Sequence, residues 1–133
     1  FINDKQNIEE IVKKFGKLIK NEDSIFCENT EGTFFCRLLP YASEQERAFY
    51  LYEVEVDEKK RNQGIATGCL TELFCRLAEK GRVTVYLQVG SYNKPAMHLY
   101  EKLGFVSAGI RPRFYEKPVE DAMIMWIREE VRQ

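Results

Sequence analysis

The chain lacks any apolar run approaching the roughly 20 residues that a membrane-crossing helix needs. A membrane protein built on helices is therefore not expected. The start shows no basic stretch followed by an apolar one, so no secretory leader is read there. Phe1 is not an initiator methionine, and the chain reads as trimmed or as beginning part-way through its parent. There is one histidine, His98, and the four cysteines (Cys27, Cys36, Cys69, Cys75) lack metal-ligand spacing. No metal is expected, and the thiols read as those of a reduced, cytoplasmic protein. A formal net charge of −1 gives no reason to expect a nucleic-acid partner. Internal repeats and low-complexity runs are also absent.

What is present fits one globular domain over residues 1–133, with 44% hydrophobic and 31% charged residues. A chain of this length buries about two-thirds of its unfolded surface and needs no staples. Asn7 is placed to cap a helix whose apolar face is Ile8, Ile11, Val12, Phe15, Leu18 and Ile19. Ser24–Glu28 and Thr33–Leu39 read as a hairpin about the turn Asn29-Thr30-Glu31-Gly32. Pro40–Glu46 reads as a polar loop and Phe49–Val56 as a strand. A helix over about Ile65–Lys80 presents Cys69, Leu70, Leu73, Phe74 and Leu77 on one face and ends at Gly81. Val83–Val89 alternates as a strand, and Lys94–Leu103 is a short helix closed by Gly104. Phe105–Ile110 and Ala122–Ile127 read as a final antiparallel pair joined by a loop, Arg111–Asp121.

The junction between strand and helix at Arg61-Asn62-Gln63-Gly64-Ile65-Ala66 is the most informative run. The first turn of a helix holds four N–H groups without intrahelical partners, and the helix dipole adds positive character there. Gly64 and Ala66 are small enough for a diphosphate to approach the backbone. Lys59, Lys60 and Arg61 stand just upstream for further phosphate charge. A surface turn into a helix could carry the same six residues. The run is neither G-x-x-x-x-G-K-[ST] nor G-x-G-x-x-G.

It does have the form R/Q-x-x-G-x-G/A, and one helix and one strand later comes Asn93-Lys94-Pro95-Ala96-Met97-His98-Leu99-Tyr100-Glu101-Lys102-Leu103-Gly104-Phe105. These two runs, at this spacing, resemble the coenzyme A loop and the N-x-x-A-x-x-L-Y-x-x-L-G-F signature of the GNAT acetyltransferase superfamily. The resemblance is good from about Phe49 to Ile127 and only topological before that. It implies an α/β (α+β) fold with a central mixed, mostly antiparallel sheet and helices on both faces. The family's first strand and helix look to be missing from this chain. Acetyl-coenzyme A is the implied cosubstrate and an amine the implied acceptor, joined by direct attack in a ternary complex.

Site residues follow from the same resemblance. Arg61, Asn62, Gln63, Gly64, Ile65, Ala66 and Thr67 would hold the diphosphate end of the cofactor. Val54 and Val56 would pair with its pantetheine arm, and a backbone N–H near Val54 or Glu55 would face the thioester oxygen. Asn93 matches a position that hydrogen-bonds that arm, although Asn is also a good N-cap for the helix beside it. Tyr100 matches the family tyrosine near the sulfur and would act as general acid.

The base is open. The branch that acetylates N-terminal alanines of ribosomal proteins has a glutamate at the position of Gln88, and Gln cannot take a proton usefully. The tail resembles that branch in Arg113-Phe114-Tyr115 and Glu120-Asp121-Ala122-Met123-Ile124-Met125. Glu53 and Glu55 are the replacements, and the strand Tyr52-Glu53-Val54-Glu55-Val56 with the loop Gln63-Gly64-Ile65-Ala66-Thr67 also resembles aminoglycoside N-acetyltransferases, which implies an acid at Glu53 and makes it the preferred one. Two residues apart on a strand, they are expected to share a face with Leu51 and Phe49, about 7 Å from one another. Acids on a packed central face imply a cleft or a carboxylate with raised pKa, unless this is a solvated sheet edge. His98 points about 200° away from Tyr100 on a helix and reads as surface or packing. Arg111, Arg113 and Tyr115 either line the acceptor pocket or belong to an ordinary hairpin loop. Peptide N-termini, polyamines and aminoglycosides all remain as acceptors. A non-catalytic acyl-coenzyme A-binding module is the alternative from another class, and a half-domain that completes its sheet as a homodimer is a third.

Overall fold

The computed structural model of the protein describes residues 24–42, 47–116 and 118–130. The helix expected over Ile8–Ile19 lies outside the described residues. Within them the chain runs β1 (Ile25–Glu28), β2 (Phe34–Ala42), β3 (Arg47–Val56), a short 3₁₀ turn (Glu58–Lys60), α1 (Ile65–Ala78), β4 (Val83–Gly90), α2 (Lys94–Leu103), β5 (Val106–Glu116) and β6 (Val119–Glu129). The strands form one sheet in the order β1-β2-β3-β4-β6-β5. Only β3 and β4 run parallel, and they are the pair joined through a helix, as a parallel connection requires.

The β1–β2 turn is built by Asn29, whose Oδ1 accepts from the N–H groups of Thr33 (2.9 Å) and Phe34 (3.0 Å). Gly32 takes the left-handed conformation that the turn needs, at φ 71°.

Both described helices pack on one face of the sheet. Leu70, Phe74 and Ala78 recur every fourth residue along α1 and are buried. They meet Cys36 and Leu38 of β2, Phe49 and Leu51 of β3, the odd residues Val83–Val89 of β4, and Met125 and Ile127 of β6. Arg47 anchors the far end of α1 by donating to the carbonyls of Leu77 (2.9 Å) and Gly81 (3.0 Å), a cation where the helix dipole is negative. α2 ends at Gly104 (φ 104°), and the Phe105 N–H then bonds back to the Tyr100 carbonyl at 2.9 Å. That turn brings the Phe105 ring against Phe74 (5.8 Å) and Tyr100 (5.5 Å). The Leu-Gly-Phe end of the second motif is thus a helix stop with an apolar plug. The opposite face carries a smaller cluster of Leu39, Ala48, Tyr50, Tyr86 and Ile124, with Tyr52, Ala108 and Trp126 against it.

Three expectations change. The loop placed at Pro40–Glu46 begins later, because β2 continues through Ala42. The connection placed at Arg111–Asp121 is mostly ladder, with Tyr115 opposite Glu120 and Glu116 opposite Val119. A register shift between Arg111 and Tyr115 permits this. Arg113 turns left-handed (φ 53°), and its N–H is taken by the Asp121 carboxylate at 2.8 Å.

The third change concerns β3. Arg37 pairs with Glu53 but Leu38 pairs with Leu51, so Tyr52 is an extra residue on β3. Alternation restarts after it. Val54 and Val56 pack toward the helices, as Phe49 and Leu51 do before it. Glu53 and Glu55 therefore point away from the helices. They do not share a face with Leu51 and Phe49, because the bulge inverts the parity that regular spacing implies.

Candidate active site

β3 pairs with β4 only from Arg47 opposite Val83 to Tyr50 opposite Tyr86. Beyond that point β3 stays on β2 as far as Val56. β4 stays on β6 as far as Gly90. Leu51–Val56 and Leu87–Gly90 thus diverge as the sides of a wedge, and the edges facing each other lack ladder partners. Backbone groups in this position need some other polar partner. The bulge at Tyr52 falls where the divergence begins. Because β3 and β4 are parallel, the loops leaving both strands, and the N-termini of both helices, lie at the mouth of the wedge. This is where ligands bind in open sheets with parallel neighbours.

The glycine loop closes one side of that mouth. Asn62 (φ 62°) and Gly64 (φ 77°) are both left-handed, so the backbone curls before α1 begins. A methyl group on Gly64 would meet nothing within 4 Å, so the glycine answers the backbone conformation and not crowding by the protein. No side chain caps α1, and no acid lies in its first turn. The first helical bond is Gly68 N–H to the Gly64 carbonyl at 3.0 Å, which leaves the N–H groups of Ile65, Ala66 and Thr67 without intrahelical partners. This fits a phosphate group. Arg61 is folded back, donating to the Val56 carbonyl at 3.2 Å and lying 4.0 Å from the Glu55 carboxylate. Gln63 reaches the Lys59 carbonyl at 3.4 Å. Lys59 and Lys60 are exposed beside them.

Asn93 begins the second helix. Its Oδ1 accepts from the Ala96 N–H at 3.3 Å, so it is an N-cap. Tyr100, two turns along, is buried under the wedge. Burial, and to a smaller degree the nearby Cys36 thiol, push its phenol up from 10.0 to about 12. Cys36 sits opposite Val54, so the Tyr100 ring lies beneath the diverging half of β3. His98 is exposed on the same helix.

The face away from the helices carries a polar chain. Arg111 donates to Gln88 Oε1 at 3.0 Å, and Gln88 Nε2 donates to the Tyr50 hydroxyl at 3.0 Å. Burial raises the Tyr50 pKa and the Gln88 hydrogen bond opposes it. The Tyr115 phenol lies close enough to raise it further, and Arg111 lowers it. Tyr115 is itself raised by burial and then by Glu120. The Glu120 carboxylate accepts from the Tyr92 N–H at 2.7 Å. It lies where a side chain at position 90 would go, so a larger residue there would displace this carboxylate from the Tyr92 N–H.

Both candidate acids have arginine partners. Glu53 is ion-paired with Arg37, whose guanidinium also lies over the rings of Phe26 (4.9 Å) and Phe35 (5.5 Å). Glu55 faces Arg61. The structure thus gathers the glycine loop, Val54, Val56, Asn93 and Tyr100 about one wedge. It sets Glu53 and Glu55 on the opposite side of β3 from Tyr100. Arg37 and Tyr50 are not singled out by sequence. The signal for Arg37 would have been its register opposite Glu53, which depends on the bulge. Among the described residues, no three histidine, cysteine or acidic side chains are grouped to hold a metal ion, and no helix is long and apolar enough to cross a membrane.

Comparison with known proteins gives a consistent picture. The model of the "Acetyltransferase (GNAT) family" matches residues 13–105, which begins well before Phe49. The [ribosomal protein bS18]-alanine N-acetyltransferase of Escherichia coli (strain K12) is 38% identical over 77 residues, covering 56% of this chain and 52% of that protein. The chain spans about half the length of the curated relatives it matches. The crystal structure of the ribosomal-protein-S18-alanine N-acetyltransferase from Escherichia coli aligns with TM-score 0.68 and 27% identity, over 91% of this chain and 78% of that one. A spermidine N-acetyltransferase chimera from Vibrio cholerae and hSSAT aligns with TM-score 0.66 and 19% identity, over 90% of this chain and 75% of that one. At that identity the likeness shows the fold alone. Two proteins named for different acceptors superpose equally well, so the fold does not choose the acceptor.

Proposed function

Since the chain belongs to the Acetyltransferase (GNAT) family, we propose that it transfers an acetyl group from acetyl-coenzyme A to the amino terminus of a protein or peptide. The observation that carries this is the β3–β4 wedge, with an uncapped helix N-terminus at its mouth and a buried phenol beneath it. Acetyl-coenzyme A supplies an acyl group already activated as a thioester. The N–H groups of Ile65, Ala66 and Thr67, with Arg61, Asn62, Gln63 and Gly64 about them, would hold its diphosphate. The exposed edge of β3 at Val54 and Val56 would take its arm as a neighbouring strand takes a ladder partner, with Asn93 nearby. As the amine nitrogen bonds to the acyl carbon, the carbon–sulfur bond breaks and the sulfur takes the Tyr100 proton. The amine's own proton goes to Glu53 through water, with Arg37 holding that carboxylate in place. Glu55 instead anchors Arg61 of the loop.

A peptide N-terminus is favoured over a polyamine by the state of the acids. A polyamine needs unpaired negative charge along its length. Here Glu53 and Glu55 face arginines, and Glu120 and Asp121 are engaged with backbone N–H groups. The match to the bS18-alanine enzyme points the same way.

One observation favours a second class, a module that binds acyl-coenzyme A without turnover. Gln88 stands in the cleft with its carbonyl and amide ends both hydrogen-bonded, and it offers no proton acceptor. Chromatographic measurement of coenzyme A release across peptide N-termini, polyamines and aminoglycosides separates these readings. Release with peptides alone is expected. Tyr100→Phe should then lower kcat by about 10²-fold or more while leaving cofactor affinity unchanged. Tight cofactor binding with no release for any amine would establish the binding module instead.

A further inference from the structure

A thiol cluster lies beside the proposed machinery and supplies no group to it. Cys27 and Cys36 face each other across the β1–β2 ladder. Both side chains turn to the helix side of the sheet, where Cys36 is part of the core and Cys27 packs against it. The Asn29 N–H bonds to the Phe34 carbonyl at 3.1 Å, and pairs alternate along an antiparallel ladder, so Cys27 and Cys36 occupy a hydrogen-bonded pair. The Cα separation of such a pair is about 5.5 Å, inside the Cα range that a disulfide spans, but its side chains stand further apart than those of a non-hydrogen-bonded pair, so a link here draws the two strands together and is readily reduced. Cys69, on α1, packs against the same core cluster. An open cleft of about 820 Å³ lies between the hairpin and α1, and Cys27 and Cys69 line it with Phe34, Gly64, Ile65 and Leu73. Cys36 is wholly buried beneath. Cys75 is exposed on α1 and lies outside the cleft lining.

We propose that Cys27 and Cys36 form a reversible disulfide site, opened to small oxidants by this cleft. With a peroxide, the Cys27 thiolate attacks one peroxide oxygen, the O–O bond breaks, and a sulfenic acid and hydroxide result. The Cys36 sulfur then attacks the Cys27 sulfur and displaces its hydroxyl. The two thiol protons leave in water, so two thiols and one peroxide give one disulfide and two waters. The linked residues enclose the Asn29–Gly32 turn and would staple the four-residue edge strand β1 to its neighbour. Two features make the site slow. Burial raises the Cys27 thiol above its ordinary value, and burial with the neighbouring thiols lifts Cys36 to about 12. The thiolate fraction of Cys27, and with it the rate, should rise by about tenfold per pH unit from pH 7 to 8.

The test treats the folded full chain with hydrogen peroxide, alkylates free thiols under denaturing conditions, and maps peptides by mass spectrometry. The expected product lacks two hydrogens, links Cys27 to Cys36, and returns to free thiols with dithiothreitol. Cys27→Ser and Cys36→Ser should each abolish the link, and Cys75→Ser should leave it intact. Circular dichroism of each variant confirms that the chain tested is folded. A dominant link through Cys69 or Cys75 would overturn the proposal. So would oxidation confined to Cys75 with Cys27 and Cys36 still alkylated, or a folded chain that gains no disulfide.

Discussion

The two halves of β3 share one strand and do opposite things. Arg47–Leu51 is enclosed, with partners on β2 throughout and on β4 as far as Tyr50, and its Ala48, Phe49, Tyr50 and Leu51 are buried. Tyr52–Val56 has β2 alone, and no residue in it is fully buried. One inserted residue separates them. The comparison teaches that a core strand can become a ligand-pairing edge without leaving its sheet, by losing one neighbour and resetting its alternation.

The largest expected effect comes from attacking the closed half. Leu51→Ala should cost about 2–5 kcal/mol of stability by leaving a cavity under α1. Val56→Ala, in the open half, should cost less than about 1.5 kcal/mol, since less contact is lost. Urea unfolding of the two variants measures the difference, and equal costs would mean that the halves are packed alike. A smaller effect on stability, but a direct one on the wedge, is expected from deleting Tyr52. The remaining residues then alternate regularly, Val54 and Val56 keep their inward face, and β3 can continue along β4. The chain should stay folded by circular dichroism while its affinity for coenzyme A falls by at least about tenfold, read by calorimetry. Unchanged affinity would remove the bulge from the account of the site.

The smallest effect is electrostatic. The Tyr100 pKa stands above its unfolded value of 10.0, at about 12, so folding favours the neutral phenol. Its contribution to stability is complete below pH 10 and is lost as pH rises from 10 to about 12. The acid should therefore remain protonated throughout neutral and mildly basic solution. A rate that fell between pH 8 and 10 in the wild type, and not in Tyr100→Phe, would contradict this placement.

Local signals made much of the molecule readable. α1 was legible from the spacing of Leu70, Leu73, Phe74 and Leu77, β4 from its alternation, and α2 from Asn93 at one end and Gly104 at the other. Each of these depends on neighbours within a few residues. The reach of β5 and β6 was not legible, because Pro112, the charged residues about it and the left-handed Arg113 look like a loop until Asp121 supplies a partner from the other strand. The face of Glu53 and Glu55 was not legible either, for a related reason. Nothing within Tyr50-Leu51-Tyr52-Glu53 states that Tyr52 is extra, and only the ladder to β2 decides it.

The sequence by itself determined the two described helices, the order of the described strands and helices, and the glycine turn that opens α1, since turn chemistry, capping and periodicity act over short distances. The tertiary structure alone decided that β3 and β4 part beyond Tyr50, that both acids meet arginines, and that Cys27 faces Cys36. Those outcomes depend on register between segments far apart in the chain, where a shift of one residue turns every side chain to the other face.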